Sequence, residues 1–361
     1  MSELKRYGHE NLRAAIAAVF RAGKADDATA SAVGDMLVEA NLSGHDSHGI
    51  QMVSYYVDCL NNGTLDPAAR AELVLDGGAV LRFDGHMGFG AVVGAATMAA
   101  GIERAKAHGI ALVATANSHH LGRIGHWAEA CLLEGLVSLH FVNVHGHQPL
   151  VAPWGGMRAR MGTNPFCAGV PATDRNPPFI LDFATSKIAF GKVHVANDKG
   201  VPLPAGAMID TDGVPTLEPG TMIPDATGGS LLTMGEHKGF GLSILCELLG
   251  GALTGSGANR PERITQETTT NGMLSIIIDP AALGDLAGLR EEIDALYGWV
   301  VSAPPAPGEE SVILAGEPER RARAERLEHG VPLADQAWAN FIAAGGRVGV
   351  AADTLESLAR A

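Results

Sequence analysis

Ala114-Thr115-Ala116-Asn117-Ser118-His119-His120-Leu121-Gly122-Arg123-Ile124-Gly125 is the stretch on which the reading of the fold turns. It closes the apolar run Ile110–Ala116, a predicted buried strand, and leads into Trp127–Leu133, a predicted helix. Upstream, Gly88-Phe89-Gly90-Ala91-Val92-Val93-Gly94 lies between the predicted strand Ala79–Asp84 and a long Ala-rich helix ending near His108. That is a GxGxxxG turn of the kind that cradles dinucleotides. The full fingerprint also needs an acid about twenty residues on, at the end of the next strand, to hold a ribose hydroxyl. Here that strand ends in Ala114–Asn117 with no acid, so the glycines read as a packing device. What the strand end does offer is two imidazoles, an amide and a hydroxyl. Such strand-to-helix junctions expose backbone N–H groups, and histidine exchanges protons near neutral pH.

A second cluster of the same character, Gly44-His45-Asp46-Ser47-His48-Gly49, follows a predicted helix that runs from Asp27 as its cap, with Val33, Met36, Leu37 and Ala40 on one face. Ahead of it, His9–Gly23 places Leu12, Ile16, Val19 and Phe20 at helical spacing, and Gln51–Asn61, carrying Tyr55 and Tyr56, reads as helix again. The first ~75 residues therefore read as a helical unit. Beyond the central stretch, Leu136–Val144 and Pro178–Ser186 read as strands, and Asn197–Thr227 as a loop with one short hairpin. Glu236–Gly239 opens an apolar helix over Leu242–Leu253, followed by a strand at Thr270–Asp279 and a helix at Leu283–Tyr297. A strand at Val312–Leu314 and helices at Glu319–Glu328 and Asp335–Ala344 complete the chain.

The totals set bounds. At 361 residues, 46% hydrophobic and 18% charged, the chain can bury a large core in two or three units. A net charge of −14 argues against nucleic acid or an anionic membrane as partner. Cys59, Cys131, Cys167 and Cys246 are widely spaced within apolar runs, which predicts buried free thiols. Neither an apolar leader nor a run near ~20 apolar residues is present, so a cytoplasmic location is expected.

Fourteen histidines invite a metal, with His140, His145 and His147, joined by His45 and His48 or by His119 and His126, as ligands of a metal-dependent hydrolase. No HExxH and no Cys or acid at ligand spacing supports it, and no metal is expected. A serine hydrolase built on Ser47 or Ser118 lacks a GxSxG elbow. A carbonyl reductase with a His proton donor, and Thr185, Ser186, Lys238 and Leu314–Glu317 as cofactor cradle, is permitted by the residues without being forced by them. A non-catalytic metabolite binder is a further reading.

Six stretches taken together resemble the malate/L-lactate/sulfolactate dehydrogenase-type family of non-Rossmann NAD(P)-dependent oxidoreductases, most closely its hydroxycarboxylate dehydrogenase B branch. They are GHDSHG (44–49), NSHHLGRIGHWAE (117–129), GTNPF (162–166), LDFATS with AFGK (181–192), EHKGFGLSILCELLGGALTG (236–255) and AGEPE (315–319). The resemblance implies an α/β (α+β) fold like L-sulfolactate dehydrogenase, a mixed/antiparallel central sheet flanked by helical domains. Its implied division is 1–75 plus 318–361 as helical domain, 76–230 plus 270–317 as cofactor-binding sheet domain, and 231–269 as a helical segment on the active site. It implies His48 and His120 as active-site histidines, with Ser47 and Asp182 as a relay orienting His48. Cofactor contacts would come from His48, Gly122, Arg123, Ile124, Asp182, Phe183, Ala184, Thr185, Ser186, His237, Lys238, Asn271, Leu314, Ala315, Gly316 and Glu317. Met52, Tyr56 and Thr163 would lie by the substrate. The implied cofactor is NAD or NADP, with NAD favoured, and the implied assembly a homodimer acting on a small 2-oxo or 2-hydroxy acid. Phenylpyruvate-like monocarboxylates are expected, with malate, lactate or a cyclic imine carboxylate as alternatives. Many members carry Arg four residues after the SHG histidine, where this chain has Met52, and a second substrate carboxylate would lose its partner there.

Overall fold

In the computed structural model, which describes residues 4–223, 227–265 and 268–360, seven strands form one mixed sheet. Residues 1–3, 224–226 near the end of the predicted 197–227 loop, 266–267 and Ala361 lie outside the described residues. The chain opens with β1 (Lys5–Tyr7), α1 (His9–Ala22), α2 (Asp27–Leu42) and, after a short 3-10 turn at Asp46–His48, α3 (Met52–Asn62). Next come β2 (Glu72–Asp76), β3 (Val80–Asp84), α4 (Gly90–His108), β4 (Ile110–His119), α5 (Gly125–Leu133), β5 (Val137–His145), β6 (Phe166–Val170) and β7 (Phe179–Phe183). An excursion of α6 (Phe190–Lys199), β8 (Met208–Asp210), β9 (Pro215–Thr216) and β10 (Gly229–Leu231) leads to α7 (His237–Cys246), which continues as a π-helix over Glu247–Leu253. The chain then runs through β11 (Thr270–Ile278), α8 (Leu286–Val301), α9 (Glu317–His329), β12 (Val331–Leu333), α10 (Asp335–Arg347) and α11 (Ala352–Arg360).

The sheet order is β2-β3-β4-β11-β5-β6-β7, and β3 with β4, linked across α4, is its one parallel pair. All other neighbours are antiparallel. This is not a doubly wound sheet, as the missing acid foretold. The GxGxxxG glycines prove to be contact points. A Cβ on Gly90 would sit 2.1 Å from the His120 carbonyl oxygen, and one on Gly94 would sit 2.4 Å from the Trp127 ring. Glycine here lets α4 lie directly on the turn that carries His120.

α1, α2 and α3 bury Leu12, Ile16, Phe20, Val33, Leu37, Val53 and Tyr56 in one core continuous with the inner face of the sheet through Leu81, Val113 and Ile277. A second, smaller core, including Val151, Met161, Val193 and Met208, lies under α6 and β8–β10. The four cysteines are buried and none is in a disulfide.

Several local expectations need correction. Asp26, not Asp27, caps α2, its carboxylate accepting the Thr29 N–H at 2.8 Å. Val312–Leu314 is not a strand; the residue after it, Ala315, accepts the Ile180 N–H of β7 at 3.3 Å. The helix through Leu253 loses α-helical register at Glu247, where Gly250 and Gly251 press on β5 and β11. β1, β2, β6, β10, β12, α6 and α11 have no counterpart in the sequence reading; β2 is exposed along its whole length, so no apolar alternation marks it.

Gly90→Ala is expected to destabilise the fold by about 1–3 kcal/mol through overpacking against His120. A urea unfolding midpoint equal to that of the natural protein would contradict this contact.

Candidate active site

The GHDSHG turn leaves α2 and is held from three sides. Asn41, fully buried, donates its amide N–H to Asp46 Oδ1 at 2.7 Å and accepts the Ile50 N–H on Oδ1 at 2.9 Å. A Cβ on Gly49 would lie 2.2 Å from that Asn41 oxygen, so glycine is required there. From α9, Arg326 donates to both Asp46 oxygens, at 2.6 and 3.1 Å, and Glu319 meets His45 at 3.2 Å. The sequence marks Glu319–Glu328 only as a charged helix; its charges pin the turn that carries His48, about 280 residues away. Asn41, Glu319 and Arg326 were missed for that reason, since polar partners of a turn leave no periodic signal.

Held this way, the His48 ring stacks over His120, with centroids 5.6 Å apart and planes 27° apart. Each ring has one nitrogen tied to a hydroxyl. Ser47 Oγ lies 3.0 Å from His48 Nδ1, and Tyr56 Oη lies 2.7 Å from His120 Nδ1. Tyr56 itself is 1% exposed, so its hydroxyl serves His120 rather than an open cleft. Met52 opens α3 one turn after His48. Neighbouring His119 is fully buried between Tyr55, stacked at 5.8 Å, and Tyr56, edge-on at 5.3 Å.

The remaining predicted site residues converge on β7. Its Asp182 accepts the Gly125 N–H at 2.7 Å, which joins Gly122–Ile124 to the strand. Ile180 N–H reaches the Ala315 carbonyl, which brings in Leu314–Glu317. Past the strand end, the Thr185 N–H and hydroxyl both donate to the Thr163 carbonyl at 3.0 Å. Met234 N–H donates to the Thr185 carbonyl at 2.9 Å, which brings the exposed His237 and Lys238 alongside Thr185 and Ser186. Phe183 packs on Phe166 beside Ala184. Asn271 accepts the Leu121 N–H at 2.8 Å and so fixes the turn after His120. One implied contact is not formed: among the described residues, Asp182 and Ser47 share no hydrogen bond. The carboxylate is committed to the Gly125 amide, and Ser47 packs at Gly191, where a Cβ would meet it at 2.7 Å.

Burial sets the charge state. It pushes His48 down to about 4, with His45 and Arg123 adding to the effect. Burial also drives His120 well below the usual histidine range, helped by His48, His119 and His147. The Asp182 carboxyl is raised by burial, against the pull of Arg123 and the Gly125 N–H. Arg123 is buried and paired with Glu129 at 2.5 Å. No group of three or more His, Cys, Asp or Glu among the described residues could hold a metal. The converging segments do fit a dinucleotide. They supply backbone N–H groups, a carboxylate, an exposed ammonium on Lys238 and a glycine approach at Gly316, whose φ of +89° no ordinary side chain adopts readily.

The profile of the malate/L-lactate dehydrogenase family matches residues 7–341. The chain is 44% identical over 354 residues to hydroxycarboxylate dehydrogenase B of Escherichia coli (strain K12), covering 98% of this chain and 97% of that protein. A solved structure of an E. coli malate/lactate dehydrogenase-type protein superposes with a TM-score of 0.94 at 43% identity, covering 98% of each chain. The sulfolactate dehydrogenase of Methanocaldococcus jannaschii superposes with a TM-score of 0.85 at 29% identity, covering 97% of this chain and 99% of that one. The chain belongs to the malate/L-lactate dehydrogenase family, a family of oxidoreductases that interconvert 2-hydroxy and 2-oxo acids with a nicotinamide cofactor.

Buried neutral histidines make stability depend on pH. His119 and His140, both fully buried, are held down to about 3, and His48 to about 4, by burial. In the unfolded chain each titrates near ~6.5. Below that value the unfolded state binds more protons, so their stabilisation is complete above about pH 6.5 and lost as pH falls toward 4. Each fully buried ring is expected to remove up to ~1.4 kcal/mol per pH unit in that window. Urea unfolding at pH 7.5, 6 and 5 checks this, and a flat profile would contradict it.

Proposed function

We propose that this protein reduces and re-oxidises a monocarboxylic 2-oxo/2-hydroxy acid pair with an apolar or aromatic side chain, of the phenylpyruvate or hydroxyphenylpyruvate type, using NAD. The observation that carries the reading is the stacked His48–His120 pair, each ring fixed through Nδ1, beside segments suited to a dinucleotide. A nicotinamide bound there supplies the hydride on reduction and takes it on oxidation. His120 gives a proton to the carbonyl oxygen on reduction and removes the hydroxyl proton on oxidation. Its ring is neutral in the free protein, ready as a base, and an incoming carboxylate anion favours the charged ring that reduction needs. Met52 supports a monocarboxylate, since a thioether offers nothing to a second carboxylate. Glu317 in the Leu314–Glu317 turn supports NAD, because a carboxylate suits a ribose hydroxyl and repels a 2′-phosphate. The exposed apolar face of α8, with Leu296, Trp299 and Val300, supports a homodimer.

The test is consumption of NADH and of NADPH against phenylpyruvate, hydroxyphenylpyruvate, pyruvate, oxaloacetate and a cyclic imine carboxylate. NADH-dependent turnover of the aromatic acids is the expected result. Equal efficiency on oxaloacetate would sink the Met52 argument, and turnover with NADPH alone would sink the choice of nucleotide. His120→Ala is expected to lower kcat by about 100-fold or more with cofactor binding retained. Near-normal turnover would remove His120 from the proton-transfer role.

A further inference from the structure

We infer that Tyr56 is a positioning residue for His120: its hydroxyl holds Nδ1, so that Nε2 is the nitrogen that exchanges the substrate proton. This deepens the proton-transfer role proposed above and rests on it. Tyr56 is buried on α3, and its ring is set edge-on to Phe89 at 6.1 Å and to His119 at 5.3 Å, with Phe20 at 6.2 Å. These contacts fix the phenol independently of any ligand. Its oxygen lies 2.7 Å from His120 Nδ1, and the two rings meet at 63° with centroids 5.9 Å apart, a geometry in which the hydroxyl bonds the ring edge. Through Asn271, whose Oδ1 accepts the Leu121 N–H, the backbone next to His120 is also fixed. Ring and adjoining main chain are thus each held by a bond of their own, and turning the imidazole over would break the one to Tyr56.

On oxidation of the 2-hydroxy acid, the O–H proton passes to Nε2 as the hydride leaves carbon for the oxidised nicotinamide. The ring becomes an imidazolium, and its Nδ1–H donates to Tyr56 Oη. On reduction the steps reverse: Nε2–H protonates the carbonyl oxygen while hydride adds to carbon, and the ring returns to neutral. Tyr56 neither gains nor loses a proton; burial raises its phenol far above the ordinary range, so it stays a hydroxyl throughout. A hydrogen bond to the charged ring stabilises it in a site where burial opposes charge. Ser47 stands to His48 as Tyr56 does to His120, and both pairs use Nδ1.

The experiment is Tyr56→Phe, which keeps the ring packing and removes only the hydroxyl, with Tyr55→Phe as a neighbour whose hydroxyl serves Thr269 instead. For Tyr56→Phe in the reduction direction we expect kcat to fall about 10–100-fold, KM for the 2-oxo acid to change little, and the basic limb of the pH–rate profile to move to lower pH by about one unit. Tyr55→Phe should leave that limb in place. Unchanged kcat and pH profile in Tyr56→Phe, or the same shift in Tyr55→Phe, would overturn the role. Nitrogen NMR of histidine-labelled protein gives a readout that needs no substrate. In the unsubstituted protein His120 must show a hydrogen-bonded Nδ1 and a free Nε2, and in Tyr56→Phe it must titrate at lower pH. A hydrogen-bonded Nε2 with a free Nδ1 in the unsubstituted protein overturns the proposal whether or not Tyr56→Phe folds. If the NMR result holds while every 2-oxo acid fails as substrate, the positioning stands and the choice of reaction falls.

Discussion

The side chain of Asn271, buried near the start of the central strand, is the contact on which the site depends. Its oxygen takes the Leu121 N–H, and its amide donates to the Asn143 carbonyl at 3.0 Å, so one side chain ties the end of β4 to β5 across β11. A side-chain amide suits both, since one bond needs an acceptor, which its oxygen supplies, and the other a donor, which its N–H supplies. A carboxylate could not donate to the Asn143 carbonyl, and an apolar side chain would strand both backbone groups in the interior. Asn143 returns the arrangement, accepting the Gly272 N–H at 3.0 Å and donating to the Gly257 carbonyl at 2.7 Å. The turn that presents His120 is therefore set by the sheet interior rather than by the loop it belongs to.

The second constraint is electrostatic. Asp46, Glu39 and Glu319 lie opposite Arg326, Arg323 and His45, so α9 closes over the α2 terminus through ion pairs rather than through an apolar stripe. Surface pairs of this kind contribute little to stability singly. Here several converge on one short turn with Asn41 at its centre, and what they fix is the orientation of Ser47 and His48. The close approach of the His48 and His120 rings is tolerated because burial favours the neutral form of both.

Much of this was legible in the sequence wherever a residue type answered a local rule. The stripe Leu12, Ile16, Val19 and Phe20 gave α1, the acid missing after Ala116 argued against a doubly wound sheet, and the paired histidine clusters pointed to one site. What was not legible depended on partners distant in the chain. No local pattern says that Thr270–Ile278 enters between β4 and β5, that Glu247 breaks α-helical register, or that the phenol of Tyr56 turns inward to an imidazole. Glu247 accepts from Asn164 and Asn259 at 2.8 Å each, and those amides come from segments with no shared periodicity. Val312–Leu314 failed in the opposite sense: β-branched residues suggested a strand, but the backbone bond to the sheet edge is made by the following residue, Ala315, and no ladder forms.

The position of β11 also orders events in time. β4 and β5 are complete by His145, yet the strand that separates them ends at Ile278, so two sheet edges stand open while more than a hundred residues are still to be made. At ordinary ribosomal speed that gap lasts on the order of 10 s. Hydrophobic strands with unpaired edges attract one another during such an interval. The nascent chain therefore has a stretch of its synthesis in which it most needs shielding, and that need ends only when its central strand, nearly the last to emerge, closes the sheet.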